Sequence, residues 1–250
     1  MKDINSYIQL MEKAMREKLF FLDKLDISSY DYIIDFGCAN GVLLQLIYKD
    51  CNTKFIGYDI SEEMINLAKK GQQSLMKNLH FTSNLEEILN LNGKTLIILS
   101  SVLHENEKNN ISFESTVNFL KNFDTIVIRD MYFDDSLNKK LSNDIRIDLQ
   151  NKLKPYIFNE FEEKYGKIES LKQYYHLLLK YDYEKNWKNE ILEDYFSFNF
   201  KSLIEKFKSF NYSVLYFNHI ALQFHKDKIK KDLNINFNLP THLYLILKRN

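Results

Sequence analysis

The chain has 250 residues, 45% of them hydrophobic and 27% charged, with a formal net charge of zero. That length and composition suit one large α/β domain, or one domain with an insertion, and exclude a chain that is disordered throughout. A balanced charge leaves no global positive field to recruit nucleic acid, so such a contact would need a local patch.

Residues 4–25 place Ile4, Ile8, Met11, Met15, Leu19, Leu22 and Leu25 at steps of three and four, which predicts one face of an amphipathic helix. Residues 31–36 read as a short buried strand that ends at Gly37, and 41–49 as a helix. A second strand is expected over 54–59. Ser61 then suits the N-cap of a helix running to about residue 70, with Glu62 and Glu63 in its acidic first turn. Residues 79–82, 95–101 and 125–131 read as the third, fourth and fifth strands. Strands alternating with helices predict an α/β fold with a doubly wound, mostly parallel sheet.

After Met131 the rhythm breaks. Residues 132–198 contain no clear strand, and Ile145, Leu149 and Leu153, then Leu171, Tyr175 and Leu178, stand at helical spacing. This stretch reads as an inserted helical cap. A helix over 200–210 resumes the core, and residues 214–220 and 243–247 supply a sixth and seventh strand with a lysine-rich helix between them. The expected division is an N-terminal helical lead over 1–30, a core over 31–131 and 199–250, and a cap over 132–198 that selects the substrate.

The most informative stretch is Ile33-Ile34-Asp35-Phe36-Gly37-Cys38-Ala39-Asn40-Gly41. A buried strand runs into a turn of small residues and then a helix. In a doubly wound sheet, ligands sit outside the carboxyl ends of the strands, and free N–H groups at a helix start attract an anion. The stretch resembles the first motif of the class I S-adenosylmethionine-dependent methyltransferases, D-x-G-x-G-x-G. Asp35, Gly37 and Gly41 match, and Ala39 replaces the middle glycine. The dinucleotide fingerprint G-x-G-x-x-G fits less well, and no phosphate-loop lysine follows.

The resemblance implies further roles. Asp59, at the end of the second strand, would accept the ribose hydroxyls of S-adenosylmethionine, with Ile60 and Met64 beside the adenine. Asn84, followed by Leu85, stands where the family often has an Asp that contacts the adenine amino group. Cys38 reads as a packing residue of the turn. The fourth strand ends Ser100-Ser101-Val102-Leu103-His104-Glu105, and in the family this loop lies beside the reactive methyl. A hydroxyl or ammonium acceptor must lose a proton, and His is suited to that near neutral pH. His104 is therefore the candidate catalytic or orienting group, with Glu105 placed to tune it. Arg129 and Asp130, at the end of the fifth strand, read either as an ion pair with each other or as substrate contacts. In the cap, Tyr174, Tyr175 and His176 read either as core or as a surface for a planar substrate.

Absences narrow the chemistry. With only two prolines, Pro155 and Pro240, there is no [DNS]-P-P-[YFW] motif of exocyclic-amine methylation and no Pro-Cys nucleophile. The six histidines show no metal-ligand spacing, so no metal is expected. Cys38 and Cys51 form no disulfide pattern, no apolar segment follows Met1, and no apolar run is long enough to span a membrane, so a cytoplasmic protein is expected. The leading expectation is methyl transfer to N or O of a small molecule. RNA is the alternative acceptor, through Lys226, Lys228, Lys230 and Lys231. Two rivals remain: an NAD-dependent oxidoreductase, for which Tyr181-x-x-x-Lys185 has the spacing, and an S-adenosylmethionine-binding module without catalysis.

Overall fold

The computed structural model describes residues 15–250. The helix expected over 4–25 lies outside these residues up to position 14. From there it persists only as Met15–Lys18, followed by the 3-10 turns Phe20–Asp23 and Ile27–Ser29. The Asp26 side chain accepts the N–H of Ser28 and so begins the second turn. Of the expected apolar face, Met15 is buried, Leu19 and Leu25 are half-buried and Leu22 is exposed. Phe21 and Ile27, which lie off that face, are the residues buried with Ile33 and Leu44.

The seven strands are β1 (Tyr32–Phe36), β2 (Lys54–Tyr58), β3 (Leu79–Thr82), β4 (Thr95–Ser100), β5 (Thr125–Met131), β6 (Tyr212–Ile220) and β7 (His242–Arg249). They form one sheet in the order β3-β2-β1-β4-β5-β7-β6. Neighbours from β3 to β5 are parallel, and β7 runs antiparallel between β5 and β6. The central strands are apolar on both faces because helices cover both. On one face Ile33, Leu96, Ile98, Val127 and Ile246 share a cluster; on the other, Ile34, Ile97, Leu99, Ile126 and Ile128 do. The strand order reverses between β1 and β4, which opens a crevice at their carboxyl ends.

The longer helices are α1 (Val42–Ile47), α2 (Glu62–Gly71), α3 (Phe113–Leu120), α4 (Asn143–Lys152), α5 (Pro155–Tyr165), α6 (Leu171–Tyr181), α7 (Phe200–Ser209) and α8 (Gln223–Leu233). Local chemistry fixes their starts. Ser61 accepts the N–H of Met64 at 3.3 Å to begin α2. A capping box between Ser170 and Gln173 begins α6, and Pro155 sits at the first position of α5.

Residues 132–198 hold α4, α5 and α6 and no strand of the sheet. Their apolar side chains, among them Leu149, Ile157, Phe161 and Trp187, form one cluster with Ile229 and Leu233 of α8. The insertion therefore leans on the last crossover of the core. No described helix is long and apolar enough to cross a membrane.

Candidate active site

The turn after β1 is held in a conformation that few residues adopt. Gly37, Ala39 and Gly41 have φ of +79°, +47° and +73°. A Cβ on Gly37 would come within 2.8 Å of Val102, and one on Gly41 would collide with the Phe81 ring. Ala39 takes the left-handed backbone that glycine usually supplies, at a cost of roughly 1–2 kcal/mol. The N–H groups of Gly37 and Cys38 donate to the carbonyl of Tyr58 at 2.8 and 2.9 Å, tying the turn to β2.

Asp59 follows directly. One carboxylate oxygen accepts the N–H of Ala39 and the other the N–H of Ser61, each at 2.9 Å. Those two bonds lock its orientation and leave lone pairs over for a ligand. Beside it Ile60 is 86% exposed, an apolar side chain left in water, and Met64 is half-buried. Asn84 and Leu85 lie exposed just past β3, and the Asn84 side chain accepts the N–H of Glu86 at 3.1 Å. Asp35 is buried, which pushes its pKa up to about 7 against the pull of the Lys18 charge. Burial also drives the Cys38 thiol far up, with Asp35 and Asp59 adding to it, so this sulfur is no nucleophile.

The ends of β4 and β5 hold the second half of the site. Ser100 Oγ is buried and without a partner among the described residues. Ser101 has φ +61°, donates its N–H to the Arg129 carbonyl at 2.8 Å, and accepts from the Arg129 guanidinium at 2.6 Å. Arg129 and Asp130, an ion pair with each other on one of the two expectations, hold separate partners. Successive side chains on a strand leave opposite faces of the sheet, so these neighbours diverge.

Asp130 takes four donors. One oxygen accepts the N–H groups of Val102 and Leu103, at 3.0 and 2.7 Å. The other accepts the N–H of Met131 at 2.7 Å and the Nδ1–H of His104 at 2.6 Å. Burial works to lower the pKa of His104, but the Asp130 charge and hydrogen bond outweigh it, and the net direction is upward. Burial works to raise Asp130, and His104 with the backbone N–H groups holds it below the usual carboxylate range. Glu105 is shifted up, chiefly by burial.

His104 Nε2 then faces the insertion, where Glu193 Oε2 lies 3.8 Å away. Lys108 holds the other Glu193 oxygen at 2.6 Å. The Tyr195 ring stands edge-on to His104 with centroids 5.5 Å apart. Lys180, buried in α6, donates to the carbonyls of Glu190 and Glu193 and so pins the loop that carries these side chains. Burial lowers the Lys180 pKa to about 7, with Glu190 the foremost opposing charge. His104, Glu105 and Glu193 bring three donor atoms within 4.8 Å of one another, a set able to hold a divalent cation, although Lys108 already supplies positive charge to Glu193 there.

Sequence reasoning did not single out Lys108, Lys180 or Glu193. Lys180 left a signal, a lysine inside an apolar helical run; Lys108 and Glu193 sit in loops and left none. Of the aromatic candidates, Tyr175 is buried against Phe133 and Phe237. His176 is buried as well and accepts the Tyr195 N–H at 3.4 Å. Burial, then the Lys180 charge, drives the His176 pKa well down. Tyr174 is half-buried. Tyr181 and Lys185, spaced like a dehydrogenase dyad, do not meet: Tyr181 is buried under Lys228 while Lys185 is exposed.

A family model described as a methyltransferase domain matches residues 27–190. Among solved structures, the fold is similar to an S-adenosylmethionine-dependent methyltransferase from Anabaena variabilis, at 15% identity and TM-score 0.56, covering 96% of this chain and 85% of that one. It is similar to an S-adenosylmethionine-dependent methyltransferase from Mesorhizobium loti, at 12% identity and TM-score 0.54, covering 95% and 96%. It is also similar to magnesium protoporphyrin IX methyltransferase from Synechocystis with bound S-adenosylhomocysteine, at 11% identity and TM-score 0.53, covering 100% and 88%. No curated protein matches the chain by sequence.

Proposed function

The chain belongs to the class I S-adenosylmethionine-dependent methyltransferases, and on that premise we propose that it methylates an oxygen or nitrogen of a small molecule with His104 as general base. The residues present fit the cofactor. The Gly37–Gly41 turn admits close backbone approach, and no Lys or Arg within it waits for a phosphate. Asp59 directly follows β2 as a fixed double acceptor. When bound, S-adenosylmethionine supplies an electrophilic methyl on a sulfonium.

The observation that carries the proposal is the Asp130–His104 hydrogen bond of 2.6 Å. A carboxylate can only accept, so His104 presents Nδ1–H to Asp130 and keeps Nε2 for a proton from the acceptor. Asp130 then balances the imidazolium that forms. The insertion supports a substrate-lid reading, because Glu193 and Tyr195 face that same ring. The acceptor would displace Glu193 from Nε2, and Lys108 would keep the freed carboxylate paired.

A small acceptor is favoured over RNA because the lysine patch of α8 is not all surface. Lys228 turns inward and donates to the carbonyls of Tyr181 and Asp182 at 3.2 and 2.9 Å. The substrate named for the similar Synechocystis enzyme, magnesium protoporphyrin IX, is also a small molecule.

The test is transfer of radiolabel from S-adenosylmethionine to fractionated small-molecule and RNA pools. With the labelled acceptor in hand, His104→Ala should lower kcat by roughly 10²–10⁴-fold and leave S-adenosylhomocysteine affinity unchanged. His104→Gln should be almost as slow, since it keeps a hydrogen bond without basicity. A Gln variant near the wild-type rate would remove the base role.

A further inference from the structure

Arg129 is a buried cation that no carboxylate pairs with directly among the described residues. It is 4% exposed. Its guanidinium donates at 2.6 Å to Ser101 Oγ, a neutral partner, and its Nε has no partner among the described residues. Asp130 cannot serve it, because that side chain leaves the other face of β5 and its oxygens already accept four bonds. Glu17, whose charge bears on Arg129, keeps a buried oxygen without a hydrogen-bond partner among the described residues. Burial accordingly presses the Arg129 pKa down. A buried guanidinium without a directly paired carboxylate is costly, and it is what an anion-binding site looks like before the anion arrives.

The position says which anion. Register pairs Arg129 with Ser100 and Phe36 with Leu99, so Arg129 stands level with Gly37, two strands away. Two strand spacings are about 10 Å. Val127 and Ile33, two residues before Arg129 and Asp35, share one buried cluster, so Arg129 and Asp35 leave the same face of the sheet. The Lys18 charge is felt by Asp35, and the Arg129 charge by Lys18. This face therefore holds an acid on one side of β4 and a base on the other, with the unpartnered Ser100 Oγ and the left-handed Ser101 between them. His104 instead joins Asp130, which leaves the opposite face. A zwitterionic amino-acid group fits the first arrangement.

Resting on the methyltransferase reading above, we propose that Arg129 binds the α-carboxylate of the methyl donor while Asp35 receives its α-ammonium. Arg129 is thus assigned to the donor and not to the acceptor. The guanidinium fork offers two parallel donors to a carboxylate, which Lys cannot reproduce.

Calorimetry with two probes tests this: S-adenosylhomocysteine, and its decarboxylated analogue, which keeps the nucleoside, thioether and amine. Wild type should bind the first roughly 10- to 100-fold tighter. Arg129→Gln should bind both with about the affinity wild type shows for the analogue, and Arg129→Lys should recover part of the preference. Circular dichroism and melting checks folding of each variant. If the Gln variant does not fold, the wild-type preference and the Lys variant decide. A wild type that does not discriminate, or a folded Gln variant that still does, overturns the proposal and leaves Arg129 to the acceptor or to Ser101. Binding of neither probe to wild type would instead overturn the donor reading itself.

Discussion

Asp130 is the residue on which the site turns, and its role follows from what it excludes. Adjacency in sequence suggested a pair with Arg129; the pleat of β5 sends the two side chains apart and gives Asp130 to His104. Burial lowers His104 and Asp130 is the largest influence raising it, so removing the Asp130 charge should lower its pKa. Asp130→Asn should therefore shift the acid limb of the kcat profile to lower pH and reduce the plateau, because the tautomer is no longer fixed. Stability carries the same signature. A histidine with a raised folded pKa contributes stability that is full below the unfolded value of ~6.5 and is lost as pH rises through the folded one. Asp130, held low, contributes above ~3.9 and loses it only as pH falls through its folded value. Urea titrations should then find Asp130→Asn less stable by about 3–5 kcal/mol near pH 5.5, with the gap narrowing toward pH 9. A gap that does not change with pH would mean that His104 is not charged in the free enzyme. The sequence could nominate His104 from its place after β4, but no local pattern announces a partner 26 residues away.

Among elements, the β1–α1 turn and β3 depend on each other through one ring. Phe81 of β3 lies so close to the backbone at Gly41 and at Gly57 of β2 that a Cβ at either position would collide with it. Gly41 also needs its φ of +73°. Gly41→Ala should cost about 1–2 kcal/mol for the backbone and about 1–3 kcal/mol more for overpacking. Phe81→Leu in the same chain should relieve only the second part, so a double-mutant cycle in urea should find the pair less destabilising than the sum. Strict additivity would mean that the ring does not set the glycine requirement. The strands were legible because each is a short apolar run between turn residues, and the turn because Gly37 and Gly41 stand out in a chain with six glycines. The demand at Gly57 was not, since Phe81 lies 24 positions further on. Nor was the break after Lys18, because the spacing of Leu19, Leu22 and Leu25 suits 3-10 turns as well as a helix. The place of β7 between β5 and β6 depends on pairing across the whole chain and leaves no local trace.

For the whole molecule, the question is whether the insertion of 132–198 is a hinged lid or part of one cooperative body. The sequence marked it as an insertion by the loss of alternation and gave no sign of how firmly it is attached. Its core runs without interruption into Met131 of β5 and into Ile229 and Leu233 of α8. Cutting there would expose apolar surface on both sides, at about 25 cal/mol per Å². Polar ties cross the same boundary: the partly exposed pair of Glu193 with Lys108 at 2.6 Å, and the buried pair of Asp182 with His225 of α8. These ties favour unfolding as a unit, with any opening for substrate confined to the Glu193–Tyr195 loop. The single tryptophan, Trp187, sits buried inside the insertion, so its fluorescence reports that region alone. Far-UV circular dichroism reports every helix and strand. Coincident transitions by two such probes are the test of one cooperative unit. Heating or urea should therefore give the same midpoint by both, and S-adenosylhomocysteine, by binding only the folded state, should raise the two midpoints equally. A fluorescence transition that precedes the dichroism change would make the insertion a separately melting lid, and a midpoint by dichroism alone that responds to the ligand would detach it from the cofactor-binding body.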